Sequence, residues 1–285
     1  MPFPLAHPAA ILPLRRFCPR YLSLAGLLLG SIVPDLAYVP DDLNRFPDTV
    51  LFLLGPTART SKYVMNNWEW STFSHSLPGV VFFCLPVGIL LLALFFMLRR
   101  PLTAMLPNPH REALLPLCET RRESLLACGI SLLLGILLHL GWDSFTHDHG
   151  WFVRHISSLR TPLFDLQGHQ IQPVTIIWFL SSTGGIAVLL ITYVHFLHSR
   201  QLPLWNFART EIRFYRFWAI VLLVPVLVAV PCTVHFTRIE SSWGDVSYVF
   251  HVFSEYYLTT LGLSLIAIGA AVKWKMTKVR DGGIL

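Results

Sequence analysis

His139 and Asp143 stand four residues apart in "GILLHLGWDSFTHDHGWF", residues 135–152. On a helix, positions i and i+4 share a face, so this step offers one imidazole nitrogen and one carboxylate oxygen from adjacent turns. His147 lies a further four residues on and shares that face if the helix continues; Asp148 and His149 follow it. The spacing recurs at His251 and Glu255. Three more groups of the same kind stand alone: His7 in "MPFPLAHPAAILPLRR", Asp35 in "GSIVPDLAY" and His75 in "STFSHSLPG". Imidazole with carboxylate is the donor set of a divalent metal, Zn²⁺ first, and the donors bind when deprotonated. A metal with an open position lowers the pKa of its water to about 7, which supplies a nucleophile without an activated Ser or Cys. No GxSxG, Walker or GxGxxG pattern points to another chemistry.

Each of these residues also has a plainer reading. His139 with Asp143 could be an interhelical hydrogen bond, worth about 0.6 kcal/mol in such settings. Asp35 after Pro34 could simply end a helix, Ser74 beside His75 could be an N-cap, and His251 with Glu255 could be an interfacial pair at a helix start. His155, His169, His195, His198 and His235 read as interfacial or surface residues. Trp142, Trp151, Trp178, Trp243, Tyr256 and Tyr257 fit an aromatic belt at a membrane interface. Arg154 and Arg160 could clamp a phosphate, with a screened surface role as the plainer alternative.

What must position these groups is a membrane protein. The chain has 285 residues, 54% hydrophobic and 13% charged, half the charged share of an ordinary soluble domain, and its mean hydropathy is +0.56. Five segments are apolar for about the 17–25 residues a crossing helix needs: 77–98, 125–142, 174–197, 217–236 and 256–273. A sixth, 22–38, is shorter and ends at Pro34-Asp35. Of the 22 Lys and Arg, sixteen fall in the N-terminal arm, loops 99–124 and 198–216 and the tail. The remaining six lie in loops 39–76, 143–173 and 237–255. Six spans alternate correctly with that bias, which places both termini on the cytoplasmic side. The net charge of +6 is therefore a topology signal and does not point to nucleic acid. Asp35, His75, His139, Asp143, His251 and Glu255 then all come out at the outer membrane level, where ionisable groups are functional candidates by default. His7 joins them if residues 8–17 form a short helix of about 15 Å. That helix would descend to Arg15 and Arg16, and the first span would climb back to Asp35.

The arm has no cleavage pattern of a signal peptide. The five cysteines lack CxxC spacing and read as small buried hydrophobes. The expected fold is thus an all-α, polytopic helical bundle of about six transmembrane helices. It forms one integral membrane domain over 1–285, with the metal-site half in 1–173 and additional helices in 174–285.

The blocks "MPFPLAHPAAILPLRR", "GSIVPDLAY", "FSHSLPG" and "HLGWDSFTH" resemble the bacterial membrane family DUF4184. More distantly, the order His, Asp, His, HxxxD is similar to the inner-membrane metal-dependent hydrolases of the YdjM type, and to the zinc-dependent phospholipase C and S1/P1 nuclease fold. That resemblance implies His7, Asp35, His75, His139 and Asp143 as ligands, with His147 or His149 as the next histidine and His251 with Glu255 for HxxxE. Two departures stand out: position 1 is Met where the soluble enzymes use a ligating Trp, and the HxxxE candidate lies over 100 residues after HxxxD. The expected activity is hydrolysis of a phosphoester in a lipid-like or envelope-precursor substrate, in a multi-pass protein of the bacterial inner membrane. Asp35 or Asp143 would ligate or bridge the metal, and Asp148 or Glu255 would act as general base. The alternatives are a transporter using the same cluster for an ion, and a structural membrane protein braced by it. The concentration of polar residues in the first half speaks against the paired broken helices of inverted-repeat transporters.

Overall fold

The structure is a computed structural model and describes residues 4–18, 21–40, 70–119, 124–147, 150–166, 169–205, 208–239 and 246–281. Among these, regular structure is helical except for one hairpin, β1 (Phe164–Leu166) antiparallel to β2 (His169–Ile171). Five stretches are long and apolar enough to cross a membrane: Leu77–Ala104, Leu125–His155, Pro173–Ser199, Arg209–His235 and Val249–Val279. At 1.5 Å per residue, 27 helical residues run about 40 Å, beyond the roughly 30 Å of a hydrocarbon core. The protein is an all-α, multi-pass membrane protein.

The segment expected as a first span, 22–38, is not one continuous helix. It consists of α2 (Leu24–Gly30) and a 3-10 turn, Val33–Ala37. Pro34 lacks an N–H and disfavours helical geometry at the residue before it, so the helix stops short and restarts tighter. Before it run a 3-10 helix, Pro4–Ile11, and α1 (Leu12–Phe17). These pieces bring His7 of the first and Asp35 of the last within 3.8 Å of each other.

The chain divides into two compact units that interleave along the sequence. The first comprises Met1–Ala37, Ser71–Leu92 and Arg122–Phe196. Its core joins Val33, Ala37, Val80, Phe83, Cys84, Leu132 and Ile136. Here α2 packs along α7 (Leu125–Thr146) with almost no space between backbones. A Cβ on Gly30 would lie 2.2 Å from the Leu132 carbonyl, and one on Gly135 would lie 2.5 Å from that of Leu27. Small residues at a helix crossing are the usual means of such approach in membranes. Ser23 fixes the start of α2 twice, its hydroxyl accepting from Gly26 N–H at 3.0 Å and its N–H donating to Ser131 at 2.8 Å.

The second unit comprises Tyr38–Trp70, Ala93–Arg121 and Leu197–Leu285. Its long helices α10 (Arg209–Ile239) and α11 (Val246–Asp281) pack through Ala229, Cys232, Val252 and Tyr256. At the start of α10, Glu211 accepts from Asn108 N–H at 2.8 Å and pairs with Arg111 at 3.1 Å. Trp218 donates to the Met105 carbonyl at 2.8 Å. Two sequence expectations are corrected in this unit. His235, expected as an interfacial or surface residue, is 2% exposed, and Tyr256, expected in an aromatic belt, is 3% exposed. Both lie on helix faces that interhelical packing covers. Trp243 lies outside the described residues. None of the five cysteines is in a disulfide.

Candidate metal centre

Four side chains from separate elements of the first unit converge. His139 and Asp143 project from α7, Asp35 from the 3-10 turn, and His75 from the bend after α3 (Trp70–Ser74). One ligand atom from each falls within 4.8 Å of all the others. Asp143 Oδ2 lies 3.1 Å from His139 Nε2 and 3.2 Å from His75 Nε2. Asp35 Oδ1 lies 3.5 Å and 3.9 Å from the same two nitrogens. The two Nε2 atoms are 3.3 Å apart.

The hydrogen bonds behind the rings determine which nitrogens carry protons. His139 Nδ1 faces the Ser31 carbonyl at 2.8 Å. A carbonyl only accepts, so Nδ1–H donates, and in the neutral ring Nε2 then carries the lone pair. His75 Nδ1 lies 3.0 Å from the Ser74 hydroxyl oxygen, whose own proton goes to the Pro34 carbonyl at 2.9 Å. That oxygen accepts, so a neutral His75 ring also carries its lone pair on Nε2. With both rings neutral, two Nε2 atoms and two carboxylates aim at one volume. Such a back-bonded imidazole is the usual ligand arrangement at metal sites.

The remaining oxygens face outward from that volume. Asp143 Oδ1 is 3.5 Å from His7 Nε2, and Asp35 Oδ2 is 3.8 Å from it. The His7 ring lies over that of His139, with centroids 3.9 Å apart. Both oxygens of each carboxylate and both nitrogens of His7 are buried without a hydrogen bond. Unpaired buried charge costs several kcal/mol, so an arrangement like this fits a cation. Two imidazole nitrogens and two carboxylate oxygens are donor types that could hold a metal ion.

α7 ends at Thr146, and His147 follows as an extended cap. His147 therefore leaves the helical face expected for it, yet its Nδ1 stays 3.5 Å from Asp143 Oδ1 and 3.1 Å from the Asp143 carbonyl. Access is one-sided. His7, His139, Asp35 and Asp143 are buried, while the side chains of His75 and His147 are 22% and 24% exposed. Asp148 and His149 lie outside the described residues. His251 and Glu255 belong to the second unit and pair with each other at 3.0 Å, with Tyr38 edge-on to the His251 ring at 5.8 Å.

Residues 1–276 match the family described as "Domain of unknown function (DUF4184)", a span that contains every element of this site. The chain belongs to the DUF4184 family. No curated protein and no solved structure matches it. For this DUF4184 chain the geometry itself carries the functional argument. Sequence reasoning missed Ser31, which acts through its carbonyl and leaves no residue signature. Its plainer alternative for Ser74 was an N-cap. Ser76 has that role instead, accepting from Gly79 N–H at 3.1 Å.

Proposed function

We propose that this protein is a membrane-embedded, metal-dependent hydrolase, with a zinc ion held by Asp35, His75, His139 and Asp143. The observation that carries the reading is the convergence of four side chains able to ligate a metal, with Nδ1 of each imidazole engaged from behind. Zinc in such a site supplies Lewis acidity and lowers the pKa of bound water to about 7. The chain's own residues do the rest. Burial of Asp35, His139 and Asp143 keeps competing water out. The carboxylate oxygens turned toward His7 are placed to take up a proton, and His7 and His147 complete the polar wall on that side. Substrate enters over the His75–His147 edge, where both rings reach solvent.

Two supports bear on the substrate. The order of the ligands is similar to that of the YdjM-type and phospholipase C-like hydrolases, which favours a phosphoester. The site also sits in a unit that contains helices long and apolar enough to cross a membrane, which suits a lipid-like or envelope-precursor substrate.

The test is metal analysis of the protein purified in mild detergent, wild type against the double variant His139→Ala, Asp143→Ala. Stoichiometric zinc in the wild type and none in the variant is expected, followed by turnover of at least one member of a lipid phosphodiester panel. A wild type without metal ends the hydrolase reading. Metal without turnover of any phosphoester leaves ion binding or helix bracing as the role of the site.

A further inference from the structure

Ser74 is fully buried at the last position of α3, and its hydroxyl holds two ligand-bearing segments at once. It donates its single proton to the carbonyl of Pro34, the residue that precedes Asp35. Its oxygen, left only as an acceptor on that side, faces His75 Nδ1 at 3.0 Å. The backbone of Ser74 is held in turn, since its carbonyl accepts from the Cys84 thiol at 3.3 Å. A Cβ on Gly79 would lie 1.8 Å from the Phe73 carbonyl, so only glycine lets the following turn close against the end of α3. The other imidazole of the group is oriented by a backbone carbonyl, that of Ser31, which no substitution at that position removes. His75 is oriented by a side chain, and that side chain can be changed.

We propose that Ser74 is a positioning residue of the metal centre: it locks His75 with its proton on Nδ1 and ties that ring to the Asp35 turn, so that the His75 and Asp35 ligands are presented together. This inference rests on the metal reading above. Ser74 touches neither ion nor substrate in this role. Removing it frees the His75 ring to put its proton on Nε2, the ligating atom, and to turn away from Asp143. Loss of such a partner behind a metal-bound histidine costs about 10–100-fold in metal affinity.

The experiment uses the full chain in detergent or bilayers, with Co²⁺ as the probe, titrated against a competing chelator. Ser74→Ala is expected to weaken Co²⁺ by about 10–100-fold with unchanged stoichiometry. Ser76→Ala, which removes the neighbouring helix cap without touching His75, is expected to bind Co²⁺ as the wild type does. The proposal is overturned if Ser74→Ala binds as tightly as wild type, or if Ser76→Ala is weakened equally, since the effect would then be local unfolding. A second readout stands apart from the metal: ¹⁵N-histidine spectra of metal-free protein in bilayers should show His75 protonated at Nδ1 alone in wild type and at both positions in exchange in Ser74→Ala. If wild type takes up no Co²⁺, the metal reading fails by itself, and the spectrum alone then decides whether Ser74 sets the tautomer. A wild-type His75 protonated at Nε2 sinks the proposal.

Discussion

His139 with Asp143 and His251 with Glu255 are the same local device, an imidazole and a carboxylate one helical turn apart. Their nitrogen–oxygen distances are nearly equal, 3.1 and 3.0 Å. What surrounds them differs. The first pair is buried, and a second carboxylate and two more imidazoles, from Asp35, His75 and His7, close on it. In the second pair the His251 side chain is 34% exposed, and its ring contact is the edge of Tyr38. An i,i+4 step therefore supplies two donors, and whether they become a site depends on what other elements bring to them. In the first unit the bringing is done by close backbone approach at Gly30 and Gly135, and by the bend that follows Ser74.

Three outcomes would sharpen or break this contrast. The largest is the response to acid. Imidazoles bind metal only when neutral, so protons compete with the ion for the same nitrogens. Zinc occupancy is expected to fall as pH falls. Equilibrium dialysis against buffers between neutral and acid pH measures it; occupancy that rises toward acid would contradict the reading. Next is Gly135→Val. The added atoms meet the Leu27 carbonyl and Gly30, so α2 must move away and the Ser31–His139 bond must open. A cost of about 1–3 kcal/mol in detergent unfolding is expected, together with weakened metal binding. Gly129→Ala, with nothing within 4 Å of the new Cβ, should do neither. The smallest effect belongs to the second pair. His251→Ala leaves the Glu255 carboxylate, 9% exposed, without its partner and should lower stability by about 1 kcal/mol, with zinc content unchanged. A fall in zinc content would erase the difference between the two regions.

Much of the site was legible in the chain. The HxxxD step, the charge bias that levels Asp35, His75 and His139, and the geometric need for His7 to return to that level can all be read from residue types and spacing. Local periodicity and the cost of burying ionisable groups are properties of the sequence. Other features were not readable. The break of segment 22–38 into two short pieces depends on how α2 and the Pro34 turn settle against α7. Burial of His235 and Tyr256 depends on which helix faces meet. The separation of HxxxE from HxxxD into different units depends on how the chain interleaves, which spacing along a sequence does not encode.

By itself, then, the sequence determined that this is a multi-pass helical membrane protein and which imidazoles and carboxylates could meet, because apolar length and helical period are one-dimensional properties. Only the tertiary structure decided which of those groups face one another and what stands behind each ring. Behind His139 that is a partner distant in the chain, the carbonyl of Ser31; behind His75 it is the neighbouring Ser74 hydroxyl, itself held by the distant Pro34 carbonyl, and hydrogen-bond partnership is a property of two groups in space rather than of either one in sequence.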